Sequence, residues 1–171
     1  MKSGKMRVIK IDKIVVNIGV GESGERLVKA QKVLQMLTKR KPIETISKTT
    51  SKDLNIRKDQ PIGCKVTIRG TDAEEFIKKA LWVKNNRITG YSFDPSGNFS
   101  FGVPDYTEFE GMKYDPDIGV FGMDVTVTLA RAGKRVRIRK RKPAKIPPKH
   151  RITKVEGIEF IRNRFKVEVI E

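Results

Sequence analysis

The chain is poor in the residues from which active sites are commonly built. It has one cysteine, Cys64, and one histidine, His150, in 171 residues. A lone cysteine excludes an internal disulfide and any cysteine-cluster metal site, and it fits an intracellular protein. Cys64 falls on the apolar side of a strand pattern, where a buried core thiol is the default. His150 lies in a stretch rich in proline and lysine, so a solvated ring within reach of phosphate is the simpler reading than a catalytic base. No Ser-His-Asp or Cys-His arrangement can be assembled from these parts. Long apolar runs are also missing: none approaches the ~20 residues of a membrane span. The basic start "MKSGKMRVIK" lacks the apolar segment of a secretory signal. Acidic side chains are scarce too, 20 against 37 basic ones, which leaves a net charge of +17 and a pI of about 10.1. That excess exceeds what solubility requires. It points to a polyanion partner, with nucleic acid ahead of membrane.

The charge is unevenly placed. Residues 1–38 carry 8 basic and 3 acidic side chains, and residues 39–70 carry 9 and 3. Residues 71–131 reverse the sign with 6 and 10, and residues 132–151 hold 10 basic and no acidic groups. Residues 152–171 balance. A molecule with a basic side and a less basic side follows.

Alternating and helical patterns set the element order. Ile14, Val16, Ile18 and Val20 alternate with Val15, Asn17 and Gly19, the period of a one-sided strand. Leu27, Ala30, Leu34 and Leu37 form a helix stripe widened by Val33 and Met36, with Glu22 and Glu25 suited to its N-terminus. "IETISKT" (43–49) suits a short strand, and 47–60 reads as a polar, mobile loop. In "PIGCKVTIR" (61–69) Ile62, Cys64, Val66 and Ile68 point one way, while Lys65, Thr67 and Arg69 point the other. Thr71 and Glu74 spell a capping box before a stripe of Ala73, Phe76, Ile77, Ala80 and Leu81. Residues 85–98 are turn-rich. Phe99, Phe101 and Val103 mark a strand, as do Met123, Val125, Val127 and Leu129. "KRVRIRKR" reads as the returning strand of a hairpin, and "KPAKIPPKH" as an extended arm. Thr153 and Glu156 spell a second capping box, ahead of a face of Ile158, Ile161 and Phe165. "KVEVIE" is a terminal strand or tail. The order β-α-β-β-α-β-β-β-α with one-sided strands predicts an α+β fold. Its antiparallel sheet carries helices on one face and keeps the other open, with a basic hairpin or arm.

Gly19, Gly21 and Gly24 stand at G-x-G-x-x-G spacing between strand and helix, the context of a dinucleotide fingerprint. Yet Lys13 and Asn17 interrupt a strand that a buried parallel sheet would need apolar, and no further β-α-β pattern follows. The glycines then make a tight turn, and the third reads as coincidental. Asp115 and Asp117 resemble a metal pair, but D-P-D in a loop is more often turn chemistry. The basic elements are stronger signals. The arm over 133–151 suits a phosphate backbone. Lys65, Thr67 and Arg69, joined by Asn17 if the two strands are neighbours, make one polar patch of the kind that meets RNA sugars and phosphates.

"DKIVVNIGVGES" (12–23), "QPIGCKVTIRG" (60–70), "SGNFSFGVPDYTEF" (96–109) and "GMDVTVTLAR" (122–131) together resemble the family of the universal large-subunit ribosomal protein five. The resemblance spans about residues 8–131, and residues 153–171 look like that family's last helix. It implies a single structural, non-catalytic domain over 1–171 in the central protuberance of the cytoplasmic ribosome. A basic extension would lie at about 133–152 and a C-terminal helix at about 153–165. The family's helix-free sheet face meets 5S ribosomal RNA. By that likeness Lys13, Asn17 and Thr67 are RNA contacts, and Arg40 stands where the bacterial branch often has a glutamine. The loop over 47–60 resembles the one that reaches the peptidyl-site transfer RNA, with Lys48, Lys52, Arg57 and Lys58 as candidates. Residues 133–152 depart from the short acidic bacterial link and look archaeal or eukaryotic. Arg135, Arg137, Arg139, Lys140, Arg141 and Lys142 would meet RNA of the same neighbourhood. Further implied partners are large-subunit ribosomal RNA and neighbouring ribosomal proteins, including a small-subunit bridge protein. No cofactor, membrane or homo-oligomer is expected.

Overall fold

The computed structural model describes residues 4–170; residues 1–3 of the basic start and Glu171 at the end of the expected terminal strand or tail lie outside them. In chain order the elements are β1 (Ile9–Gly19), α1 (Glu25–Thr38), β2 (Ile43–Ile46), β3 (Pro61–Ile68), α2 (Thr71–Val83), β4 (Arg87–Thr89), β5 (Phe99–Val103), β6 (Met123–Arg131), α3 (Arg135–Ile138), α4 (Lys154–Phe165) and β7 (Glu168–Ile170). Five strands form an antiparallel sheet in the order β2-β3-β1-β6-β5, and β4 pairs with β7 in a separate parallel ladder. The α+β architecture expected from one-sided strands is the one observed.

The long β1 is hydrogen-bonded on both edges, to β3 and β6. Its alternation therefore decides which side of the sheet is dry. Ile14, Val16 and Ile18 are buried together with Cys64, Val66 and Ile68 of β3 and Val125, Val127 and Leu129 of β6. Against them pack Leu27, Ala30, Val33 and Leu34 of α1 and Ala73, Phe76, Ile77, Ala80 and Leu81 of α2. Met36, expected to widen the α1 stripe, is exposed instead.

Three local expectations give way to competing geometry. Residues 135–138 form the short helix α3, not the returning strand of a hairpin. β6 is paired to β1 along most of its length but to β5 only over Met123–Val127; beyond that the Leu129 amide is taken by Asn98 Oδ1 at 3.0 Å and its carbonyl by Lys134 Nζ at 3.5 Å, so an alternating "RVRI" finds no ladder to join. The Thr71–Glu74 capping box does not form: Gly70 is the cap residue, which puts Thr71 inside α2. The Thr71 hydroxyl contacts Asp72 at 3.3 Å, and Glu74 pairs with Arg164 at 2.9 Å. The third glycine of the G-x-G-x-x-G run is not incidental. Gly24 caps α1 at φ +111°, and Gly21 turns at φ +83°, both in backbone regions that favour glycine. The strand β4 lies within the stretch read as turns; at three residues it is too short to show a period.

The second capping box is real. Thr153 accepts from the Glu156 amide, and Glu156 accepts from the Thr153 amide at 3.0 Å. The same carboxylate takes Arg131 Nη2 at 2.7 Å. The Arg131 side chain, only 10% exposed, also donates from Nε to the Arg7 carbonyl at 3.0 Å and from Nη1 to the Arg151 carbonyl at 3.2 Å. One guanidinium thus ties the N-terminal segment, the end of β6, the far end of the basic arm and the start of α4. Partial burial works against ionising Glu156. The Thr153 amide and then Arg131 outweigh it, so the carboxyl titrates below its ordinary value.

Replacing Arg131 by methionine should lower stability near neutral pH by about 2 kcal/mol, as for charge-assisted hydrogen bonds whose acceptor is partly solvated. Glu156 has a depressed folded pKa, so its contribution is present above the unfolded carboxylate pKa and is lost as pH falls through the folded one. The gap between wild type and Arg131→Met in denaturant titrations should therefore shrink from pH 7 to pH 3.

Candidate nucleic-acid interface

The face of the sheet away from the helices is fixed by register. Opposite residues on paired strands share a face. One row runs Lys65, Asn17, Asp124 and Gly102, and the next runs Thr67, Val15, Thr126 and Ser100. Lys13 stands opposite Thr128, past a bulge at Asp12. The strand neighbourhood that joins Asn17 to Lys65 and Thr67 is thus present, and all of these side chains are at least partly solvent-exposed. Gly63 continues the face at the Gly19 end. A Cβ there would stand 2.8 Å from the Ile18 carbonyl and 2.8 Å from Thr45 Oγ1, so only glycine lets β1, β2 and β3 close up. The face is a platform of hydroxyls and an amide around Val15, with two lysines and one carboxylate. Its charge is nearly balanced. The carboxylate, Asp124 beside Asn17, is a member that the sequence pattern does not single out.

Two expected members are engaged elsewhere. The bulge at Asp12 frees its carboxylate, which pairs with Arg69 at 3.1 Å and with Lys134 at 3.2 Å. Arg40 pairs with Asp72 in the first turn of α2. The Arg40 hydrogen bond, then its charge, holds the Asp72 carboxyl below its usual value. Neither guanidinium stands in the Lys65–Asn17 row.

The cationic excess flanks the platform. The loop over 47–60, read as mobile, is a small hydrogen-bonded finger. Ser47 and Gln60 close its base at 2.8 Å, and Ser51 and Ile56 exchange backbone bonds at 3.0 and 3.1 Å. Gln60 Nε2 reaches Ser23 Oγ at 2.9 Å, fastening the finger to the turn before α1. Lys48, Lys52, Arg57 and Lys58 are exposed around it and make no ion pair among the described residues, and Leu54 is exposed at its tip. In the arm, Arg135, Arg137, Arg139, Lys140, Arg141 and Lys142 are exposed and likewise without acidic partners among the described residues. The arm is not a free tail. The Ala144 amide bonds the Val136 carbonyl at 3.2 Å, and His150 Nε2 lies 2.9 Å from the Ala132 carbonyl. Arg131 fastens its far end. Sequence reading misses Arg131, because nothing in "VTLAR" marks an arginine that will be enclosed.

The catalytic alternatives find no support in this geometry. The sheet is antiparallel, and the Val20 and Gly21 amides both bond the Ile62 carbonyl, at 3.0 and 2.8 Å. These amides are not aimed at a pyrophosphate. Asp115 Oδ1 accepts the Asp117 amide at 3.0 Å, and the Asp115 carbonyl accepts the Gly119 amide at 3.0 Å, so the D-P-D segment is a turn. No group of three or more potential metal-binding side chains occurs among the described residues.

Comparison with known proteins gives concordant matches. Residues 5–57 match the model of a family described as ribosomal protein L5, and residues 61–160 match the model of that ribosomal family's C-terminus. The large ribosomal subunit protein uL5 of Thermoplasma volcanium is 56% identical over 168 residues, 97% of this chain and 98% of that protein. The uL5 protein of Methanoregula boonei is 51% identical over 164 residues, covering 96% and 99%. That of Sulfurisphaera tokodaii is 50% identical over 167 residues, covering 97% and 94%.

Cys64 is fully buried, and burial, then the nearby Glu44 charge, pushes its thiol up to about 11. A disulfide reagent such as dithionitrobenzoate should therefore leave the native protein unmodified and titrate one thiol only in denaturant. Rapid reaction in the native state would mean that β3 opens readily.

Proposed function

The chain belongs to the ribosomal protein L5 family, and on that premise we propose that it binds 5S ribosomal RNA with the helix-free face of its sheet and helps build the central protuberance. The family supplies the coarse frame: a structural protein of the large ribosomal subunit, part of the translation machinery in the cytoplasm, and not an enzyme. The observation that carries the finer reading is the contrast between the nearly neutral platform and its cationic flanks. Hydroxyls and an amide on a solvent-exposed face suit RNA sugars and groove shape. Unpaired cations at the margins supply the sequence-independent phosphate attraction.

In this reading Lys13, Asn17, Lys65 and Thr67 contact the RNA directly. Arg40 and Arg69 contribute only where phosphate competes with Asp72 and Asp12. The finger over 47–60 presents Lys48, Lys52, Arg57 and Lys58 to the peptidyl-site transfer RNA, and its fastened base supports such a reach. The arm cations from Arg135 to Lys142 take phosphates of adjacent large-subunit RNA. The acidic loops around 105–117 are left for neighbouring proteins, including one of the small subunit. The chain acts as one domain with the arm as its extension. A free RNA chaperone is the rival reading, and it would not sediment with the large subunit in a sucrose gradient.

Asn17→Ala and Thr67→Ala should each weaken 5S RNA binding in a filter assay by roughly threefold to tenfold, the worth of a hydrogen bond, without lowering the melting temperature. Normal binding by both would rule out the sheet face. Replacing Lys140, Arg141 and Lys142 together by alanine should reduce the salt slope of binding by about three, one for each lost phosphate contact. An unchanged slope would mean that the arm stays in solvent.

A further inference from the structure

The contacts that fasten the arm also border a pocket of about 400 Å³ between the end of β6, the turn before β5, α3 and the segment that leads into α4. Its apolar lining comprises Leu129 and Ile152, both buried, together with Ile138 and Ile146. Ile138 is 71% exposed, an aliphatic lining side chain left largely to solvent. No acidic side chain lines the pocket. Arg137, also in the lining, has no ion pair or side-chain hydrogen bond among the described residues, and the Arg151 side chain donates there only to the Ile146 carbonyl at 3.3 Å. His150 is held against the Ala132 carbonyl with its ring on the lining.

We propose that this pocket takes one unstacked nucleotide of a single-stranded RNA segment, with the base between the isoleucines and its phosphate at Arg137 and Arg151. The inference rests on the reading of the arm as an RNA-binding element. A bare phosphate would leave the aliphatic walls in water, and a wholly apolar ligand would leave the arginines without a partner. A nucleotide has a flat apolar-faced base and one charge, and RNA recognition commonly splays a base out to stack on an arginine plane or an imidazole. The volume lies within the range of ordinary ligand sites. The 10 basic residues and absence of acids over 132–151 continue the cationic path past the mouth, which selects a strand of phosphates over an isolated small molecule.

The test uses the full chain labelled at its isoleucine methyls and followed by NMR. Titration with adenosine 5′-monophosphate should shift the Ile138, Ile146 and Ile152 methyls saturably. Inorganic phosphate at equal ionic strength should leave them in place. Arg137→Ala should weaken the nucleotide by about tenfold, the worth of one charge-assisted contact. Ile138→Asp, a change at an exposed position, should abolish the methyl shifts with the fold intact, whereas Lys78→Ala, at an exposed position of α2 away from the pocket, should leave the mononucleotide affinity unchanged. Penta-adenylate should bind more tightly than the monophosphate. The inference is overturned if the methyls do not move, if phosphate moves them equally, if Arg137→Ala and Ile138→Asp have no effect, or if the pentamer binds no better than the monomer. None of these outcomes bears on 5S RNA binding at the sheet face, which the filter assay measures separately.

Discussion

Everything in this molecule is arranged around β1, whose backbone is satisfied on both edges. A strand held between β3 and β6 cannot rotate or slip without turning Ile14, Val16 and Ile18 out of the core. Once that register is fixed, the opposite face is fixed as well, and Asn17, Lys65 and Thr67 are brought side by side although they are far apart in sequence. The interface is thus a by-product of burial. The same alternation that dries one side of the sheet presents the other.

The bulge at Asp12 shows how one irregularity redirects charge. The extra residue leaves a carboxylate beside the ends of β3 and β6, and Arg69 and Lys134 converge on it. Close by, Arg131 gathers the carbonyls of Arg7 and Arg151 and the carboxylate of Glu156. The sheet, the arm and the last helix are therefore coupled at one end of β6. Ten cations within the twenty residues 132–151 would repel one another as a free tail. Here both ends of the segment are anchored, which reduces the ordering cost when it meets a polyanion.

Charge and shape are divided between different parts of the surface. The platform holds neutral donors and acceptors, where discrimination by geometry is possible. The finger and the arm hold most of their cations without an ion pair among the described residues, where attraction is strong and indifferent to sequence. A net charge of +17 read from composition therefore describes the margins and not the centre of the interface.

Local pattern was enough for the one-sided strands, the helices over 25–38 and 154–165, the Thr153 capping box and the buried thiol, because each depends on periodicity or spacing. The sequence also marked the polyanion partner, since charge is additive and needs no fold, and its motifs carried the family. Which cations stay available is settled by packing between distant segments. Arg40 and Arg69 meet acids far away in the chain, and no local pattern encodes those meetings. The strand expected over 134–141 failed for a similar reason: pairing needs a free edge, and the Asn98 and Lys134 side chains take the Leu129 amide and carbonyl at the end of β6. The glycines of "NIGVGESG" lie between these cases. Their spacing was visible, but that Gly24 caps a helix in a glycine-only conformation, and that the Val20 and Gly21 amides serve β3 and not a phosphate, follows from where the chain packs.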